Sequence, residues 1–163
     1  DYSMIKYLAL KAFTRARRKP CSTIVLHATD GKSASSSVEW LSKIRLSYHY
    51  IIERDGHVYK LAPISRVAFH AGVSVGPEGN NVNDYSIGIA FANYESGKEP
   101  ITLGQVKAAR KLVEEIVGSG APIEWVTTHY AISPGRKTDP AMLLKSELKE
   151  IAGTVPVWGV KEL

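Results

Sequence analysis

Two histidines and one aspartate, His27, His129 and Asp139, have the residue types of a three-ligand metal site. His27 closes the apolar run "STIVLHAT" and His129 closes "IEWVTTHY". Strands of one sheet end at a common edge, so residues far apart in sequence can converge there. Asp139 precedes Pro140, which pushes its backbone toward an extended conformation and presents the carboxylate away from any helix that follows. Two imidazoles and a carboxylate leave one position of a tetrahedral zinc ion open for water, which is the pattern of a catalytic site. Scattered ligands of this kind are less diagnostic than a short motif such as H-E-x-x-H. Each residue also has a plainer use: a strand-end histidine as a hydrogen-bonded rim residue, Asp139 as the cap of a helix beginning at Pro140.

His129 and Asp139 bracket the loop "HYAISPGRKTDP", which Pro134 and Gly135 turn and which carries two adjacent cations, Arg136 and Lys137. Lys137 lies two residues before Asp139, and in an extended segment both side chains project to one side. A cation beside a metal ligand is unfavourable without a task. Stabilising the oxyanion that develops when a carbonyl is hydrolysed is a task that fits. Tyr48 offers a phenol for the same purpose, or serves as a half-buried strand aromatic. His57 follows Asp55-Gly56 and is expected in solvent at a hairpin tip. Cys21 stands six strand residues from His27, roughly 20 Å along an extended chain, too far to share an ion. As the only cysteine it excludes an intrachain disulfide.

Strands and helices alternate in the segments that must hold these residues. "STIVLHAT", "SIGIAFANY" and "IEWVTTHY" read as buried strands, and "SYHYIIERDGHVYKLAP" as a hairpin about Asp55-Gly56, a pairing suited to a type I′ turn. "SSVEWLSKIR" predicts a short helix. "TLGQVKAARKLVEEIVGSG" predicts an amphipathic helix capped by Thr102 and ended by Gly118 or Gly120, and "PAMLLKSELKEIAG" a last helix with Pro140 in its first turn. In "SMIKYLALKAFTRARR", apolar residues at Met4, Ile5, Leu8, Ala9, Ala12 and Phe13 recur at helical spacing, with cations gathered where the helix dipole favours them. This predicts a packing helix within residues 1–20, stopped by Pro20, on a domain spanning 21–163. The stretch from Pro63 to Tyr85 is rich in turn residues, and loops of that length are usually functional. The expected fold class is α/β, a single domain with a central mixed sheet flanked by helices.

A chain of 163 residues suits one domain with a real core. No apolar run approaches the roughly 20 residues that span a bilayer, so no transmembrane segment is expected. A net charge of +5 suits an acidic polymer, whether nucleic acid, anionic lipid or cell-wall material, without choosing among them. The RARRK cluster lacks the interleaved aromatics of a nucleic-acid groove, and no nucleic-acid partner is expected. The chain begins at Asp1 without an initiator Met, so either an upstream segment was removed or the chain was trimmed; residues 6–20 are too short and too charged for a secretory apolar region.

"TIVLHAT", "SYHYIIERDGHVYKL", "AFHAG", "NDYSIGIAFAN" and "HYAISPGRKTDP", in this order, closely resemble the zinc-dependent N-acetylmuramoyl-L-alanine amidases of the type 2 family. The likeness runs from about residue 22 to 150 and leaves the N-terminal segment unexplained. It implies an amidase (PGRP-like) fold, a Zn2+ cofactor held by His27, His129 and Asp139, and catalytic roles for Lys137 and Tyr48. It also implies substrate contacts from His70, Asn83, Ser86 and the neighbouring Arg136. The implied reaction is hydrolysis of the amide between the lactyl group of N-acetylmuramic acid and the L-alanine of the stem peptide. The implied partner is peptidoglycan or a muropeptide, met by a monomer.

One departure stands out. Many relatives have Glu in the strand motif "GIE", a general base in the AmpD-like branch, where this chain has "GIA" with Ala90. Strand alternation puts Gly88, Ala90 and Ala92 on one face, the face expected to meet the site. Either the chain relies on Tyr48 and Lys137, as the phage-type enzymes do, or Ala90 marks an inactivated variant that holds substrate. A non-catalytic recognition module is a further alternative, although such members usually lose a zinc ligand. A phage lysin, a secreted wall-directed effector, a remodelling enzyme and a cytoplasmic recycling enzyme all fit the sequence.

Overall fold

The computed structural model describes residues 5–7, 14–44 and 46–163. In chain order the strands are β1 (Ile5–Tyr7), β2 (Thr14–Ala16), β3 (Thr23–Ala28), β4 (Tyr50–Ile52), β5 (Val58–Lys60), β6 (Arg66–Ala68), β7 (Val75–Gly76), β8 (Gly79–Asn80), β9 (Ser86–Phe91) and β10 (Trp125–Thr128). The helices are α1 (Ala34–Ile44), α2 (Leu103–Gly118), the single turn α3 (His129–Ile132) and α4 (Lys145–Ala152). The sheet order is β1-β5-β4-β9-β3-β10. β4, β9, β3 and β10 are parallel to one another, β5 runs antiparallel to β4, and β1 parallel to β5. The sheet is mixed and flanked by helices, as the alternation of elements predicts.

Parallel strands covered on both faces must be apolar throughout, and every residue of β3 and β9 is buried. Alternation then sorts them into two faces. Ile24, Leu26, Ile87, Ile89 and Phe91 pack under α2 (Val106, Ala109, Leu112, Val113, Ile116) and α4 (Leu148, Ile151, Ala152), the main core. Ala90 and Ala92 face the other way, against Ala34 and Leu41 of α1 and Ile51 of β4. Val25 lies on that side too, packed with Ala71, Val82, Tyr85 and Ile132. His27 shares this second face and so stays out of the large core on α2.

Thr102 caps α2 as the sequence predicts: its Oγ1 accepts from Gln105 N and Gln105 Oε1 accepts from Thr102 N, both at 3.0 Å. The same Gln105 is buried and donates from Nε2 to Ile52 O (3.0 Å) and Ala92 O (2.9 Å), fastening the helix start to the ends of β4 and β9. Among the described residues no helix is long and apolar enough to cross a membrane.

Three expectations need correction. The predicted N-terminal helix is contradicted at Ile5–Tyr7 and Thr14–Ala16, which are strands paired with β5 and β6; the rest of that segment lies outside the described residues. Strands at a sheet edge expose unpaired backbone groups, and pairing with them overrides a short helical periodicity. Arg17 is half-buried. Its guanidinium donates to the carbonyls of Ile64, Asp84, Arg66 and Ser86 at 2.8 to 3.1 Å, tying the segment to the long loop. At the hairpin, Gly56 N donates to Glu53 O and only Gly56 has positive φ (92°), so Arg54 and Asp55 form the turn and Gly56 follows it; a type I′ turn needs positive φ at two central residues. Finally, the last helix begins at Lys145 rather than Pro140. Residues 140–143 turn instead, with Leu143 N donating to Pro140 O and the Leu143 side chain buried in the core.

His49, just before β4, is wholly buried: Nδ1 accepts from Gly88 N (3.0 Å) and Nε2–H donates to Arg66 O (2.8 Å). Burial pushes its pKa down to about 4 from an ordinary 6.5. The unfolded chain therefore binds a proton that the folded chain refuses between these values. Its contribution is present above pH 6.5 and is lost as pH falls toward 4, with a slope of up to about 1.4 kcal/mol per pH unit per group. The stability of the wild type to urea is expected to fall as pH drops through this window, and that of His49→Gln to fall more shallowly; identical slopes for the two proteins would rule His49 out as a source.

Candidate active site

β3 and β10 lie side by side with Thr128 opposite Leu26, so the residue after each, His27 and His129, emerges at the same edge. Their Nδ1 atoms are 3.0 Å apart. The single turn α3 then reverses the chain, with Thr128 Oγ1 accepting from Ala131 N, and the loop returns to bring in Asp139. Its Oδ1 lies 3.2 Å from His129 Nδ1, and its Oδ2 lies 3.6 Å from His27 Nδ1. Ala28 N–H donates to Oδ2 at 3.1 Å. Since no helix begins at residue 140, Asp139 is not a helix cap.

The surroundings fix the tautomer of His129 and leave that of His27 to its partner, a third imidazole. His129 Nε2 lies 3.0 Å from Ala71 O, a carbonyl that only accepts, so this nitrogen carries the hydrogen. His27 Nε2 is 2.9 Å from His70 Nδ1, whose other nitrogen is 3.1 Å from Ser86 Oγ. With His27 donating from Nε2, both Nδ1 lone pairs point at one another and at a carboxylate. His27 is completely buried, and burial, reinforced by the neighbouring His129, pushes its pKa down to about 4, so it is neutral at pH 7. Two lone pairs and an anion converging within 4.8 Å repel unless a cation lies among them. The donor set fits a divalent metal, with each histidine held through its remote nitrogen as metal-binding histidines usually are.

A cavity of about 470 Å³ opens over this cluster, and Tyr48, His70, Glu95, Arg136, Lys137 and Trp40 help to line it. The Tyr48 ring stands 5.0 Å from that of His27. Burial, with Asp139 adding to it, pushes its phenol above the ordinary range, so the hydroxyl stays protonated and can donate. Lys137 is exposed at the cavity wall. Arg136 also lines the wall, but its Nη2 donates to Ala71 O (2.7 Å), Val73 O (3.0 Å) and Ser133 Oγ (3.0 Å), stapling residues 71–73 to the end of α3. Gly72, at φ +62°, passes directly under the guanidinium.

Asn83 and Ser86, expected among the substrate contacts, do not line the cavity. Asn83 Oδ1 accepts from His70 N (3.1 Å) and Ala71 N (2.9 Å), and Ser86 is buried behind the His70 ring. Polar groups beside a buried ring are consumed in holding it. Gly88 leaves the ring its space, since a Cβ there would come within 2.6 Å of it. Ala90 sits opposite His27 in register, on the face predicted, but it is fully buried in the cluster under α1.

Sequence reasoning missed Glu95. It follows β9, whose neighbours β3 and β4 lead to His27 and to the hairpin, and loops after parallel strands are where ligands bind. That position was the available signal. Both carboxylate oxygens accept from Ala141 N (3.1 and 3.0 Å), and burial raises the pKa of the acid.

A family model described as N-acetylmuramoyl-L-alanine amidase matches residues 17–142. The 1,6-anhydro-N-acetylmuramyl-L-alanine amidase AmpD of Enterobacter cloacae is 34% identical over 122 residues, 68% of this chain and 64% of the relative. The chain spans about half to two thirds of the length of the curated relatives it matches. Among solved structures, a selenomethionine AmpD superimposes with a TM-score of 0.77 at 22% identity, covering 91% of this chain and 94% of that one. AmiD from E. coli, solved with anhydro-N-acetylmuramic acid-L-Ala-D-gamma-Glu-L-Lys, gives 0.70 at 25% identity, covering 85% and 60%. The family model alone takes in most of the chain, including His27, His129 and Asp139: the chain belongs to the type 2 N-acetylmuramoyl-L-alanine amidase family.

Proposed function

We propose that this chain is a zinc hydrolase that cuts the amide between the lactyl group of N-acetylmuramic acid and the L-alanine of the stem peptide. The observation that carries this reading is the pair of opposed Nδ1 lone pairs with Asp139 at the base of a cavity whose wall holds Lys137 and Tyr48. Names of relatives support the substrate class: one is a 1,6-anhydro-N-acetylmuramyl-L-alanine amidase, and another was solved with an anhydro-muropeptide. Held by His27, His129 and Asp139, zinc supplies Lewis-acid activation of water and of the carbonyl.

The chain's own residues supply the rest. His70 and the Ala71 carbonyl hold the two imidazoles in the ligating tautomer. Tyr48, kept neutral, donates to the carbonyl oxygen as negative charge develops there, and the Lys137 ammonium adds a positive field beside it. Water oxygen joins the carbonyl carbon, the C–N bond breaks, and the leaving nitrogen takes a proton to depart as the amine of L-alanine. The cluster around Ala90 is closed and apolar, so the reading assigns turnover to Tyr48 and Lys137 without a carboxylate at position 90.

Incubation with a soluble anhydro-muropeptide, followed by mass spectrometry, is expected to release the intact peptide with a free L-alanine amine; cleavage at any other bond would overturn the reaction. Lys137→Ala should lower kcat/KM by about 100-fold or more while zinc stays bound. Loss of the metal along with activity would instead make Lys137 structural. His70→Ala is expected to weaken zinc binding by about 10- to 100-fold in competition with a coloured chelator, the usual effect of removing the partner of a metal-ligating histidine. Ala90→Glu tests the inactivated-variant alternative. No large gain is expected, and a rise in turnover of about 100-fold or more would identify position 90 as the seat of a missing general base.

A further inference from the structure

Hydrolysis of an amide needs a group that takes a proton from the attacking water and returns one to the leaving nitrogen. Neither Lys137 nor Tyr48 can do both. A lysine ammonium has no lone pair, and burial holds the Tyr48 hydroxyl protonated. Position 90, on β9, carries an alanine sealed under α1.

The described residues lining the catalytic cavity that could accept a proton are Asp30, His70, Glu95, His129 and Asp139. His129 and Asp139 belong to the metal cluster. His70 has both ring nitrogens engaged, one with His27 (2.9 Å) and one with Ser86 (3.1 Å). Asp30 is exposed, and its Oδ1 accepts from Ser96 N (3.1 Å) and Ser96 Oγ (3.0 Å), so it braces the loop after β9. That leaves Glu95.

The backbone of Glu95 is fixed by this brace and by a turn, in which Lys98 N donates to Glu95 O (3.0 Å) and Glu99 N to Tyr94 O (3.1 Å). Its side chain reaches across to Ala141 N, two residues beyond Asp139, which approaches Oε1 at 3.1 Å and Oε2 at 3.0 Å. The N–H groups of Ala141 and Met142 take up only part of what a carboxylate can accept, and Glu95 offers the remainder to the cavity it lines. Burial raises the pKa of the acid, which strengthens the carboxylate as a proton acceptor.

Resting on the amidase reading above, we propose that Glu95 is the general base and acid of this chain, a carboxylate delivered by the loop after β9 in place of one within the strand. As the water oxygen bonds to the carbonyl carbon, Glu95 takes the water's proton. As the C–N bond breaks, it passes that proton to the departing nitrogen and is a carboxylate again. The bond to Ala141 N ties this proton carrier to the loop that brings Asp139 and Lys137, so base, ligand and cation are positioned together.

Glu95→Gln separates the two uses of the side chain. Its amide oxygen still accepts from Ala141 N, but the group cannot carry a proton. On a soluble anhydro-muropeptide kcat should fall by about 100-fold or more with KM little changed, while zinc affinity against a coloured chelator matches the wild type. Glu95→Ala should be as slow, and added formate should restore turnover to it but not to Glu95→Gln. Wild-type kcat in Glu95→Gln, or a loss of zinc in step with the loss of activity, would reduce Glu95 to a brace of the loop and overturn the proposal. A second readout needs no turnover: acetohydroxamate, titrated against the zinc-loaded protein, gives up a proton to a neighbouring carboxylate as it binds. Its affinity should drop by about 10-fold or more in Glu95→Gln, the usual cost of a lost charge-assisted hydrogen bond. If the wild type cleaves no muropeptide yet shows this drop, the amidase reading falls and Glu95 keeps its role. Cleavage by a wild type whose kcat and hydroxamate affinity are both untouched by the substitution does the reverse.

Discussion

The parallel ladder that sets Thr128 beside Leu26 and Ala90 beside His27 determines where both histidines emerge. A slip of one residue in β3 would send His27 into the core under α2 and Ile24 and Leu26 out toward the cavity. The apolar face prevents that slip, because its burial against α2 and α4 outweighs anything gained on the opposite side. Site geometry is thus enforced by residues that never touch it. Gln105 contributes in the same way, by fixing the start of α2 to the ends of β4 and β9.

A second layer of control lies in hydrogen bonding. The Nδ1 atoms of His129 and His27 face each other, while their other nitrogens touch a carbonyl and a third imidazole respectively. Ser86 and Asn83 hold that third ring and its backbone, and Gly88 leaves it room. Residues that a sequence reader assigns to substrate become supports of supports. The polar inventory of this face is therefore divided between the rim, where Arg136 and Lys137 stand, and the interior, where His70, Asn83 and Ser86 already have partners.

How much of this was legible in the chain depends on the range over which each signal acts. β3, β9 and β10 are continuous apolar runs, and Thr102 with Gln105 is a local capping pattern, so all were readable. The convergence of His27, His129 and Asp139 followed from strand ends and from Pro140. Residues 5–7 and 14–16 misled because an apolar recurrence of helical period was weaker than the pull of two open sheet edges. Pro140 resembled a helix start, yet Ala141 N is taken by Glu95 and Leu143 is drawn into the core, which delays α4 to Lys145. Glu95 and Trp40 carry no local signature. Their place at the cavity is decided by the packing of α1 and of the loop after β9 on the sheet.

The loop from Ser133 to Ala141 is secured at both ends. Near its start, Ser133 N donates to His129 O and Arg136 binds back to Ser133; at its finish Glu95 holds Ala141 N. A segment closed this way has surrendered its conformational entropy at folding, and not at the moment an ion arrives. Asp139 and the backbone that carries Lys137 are consequently preorganised. Were an ion to bind there, its affinity would not be reduced by the need to order this loop.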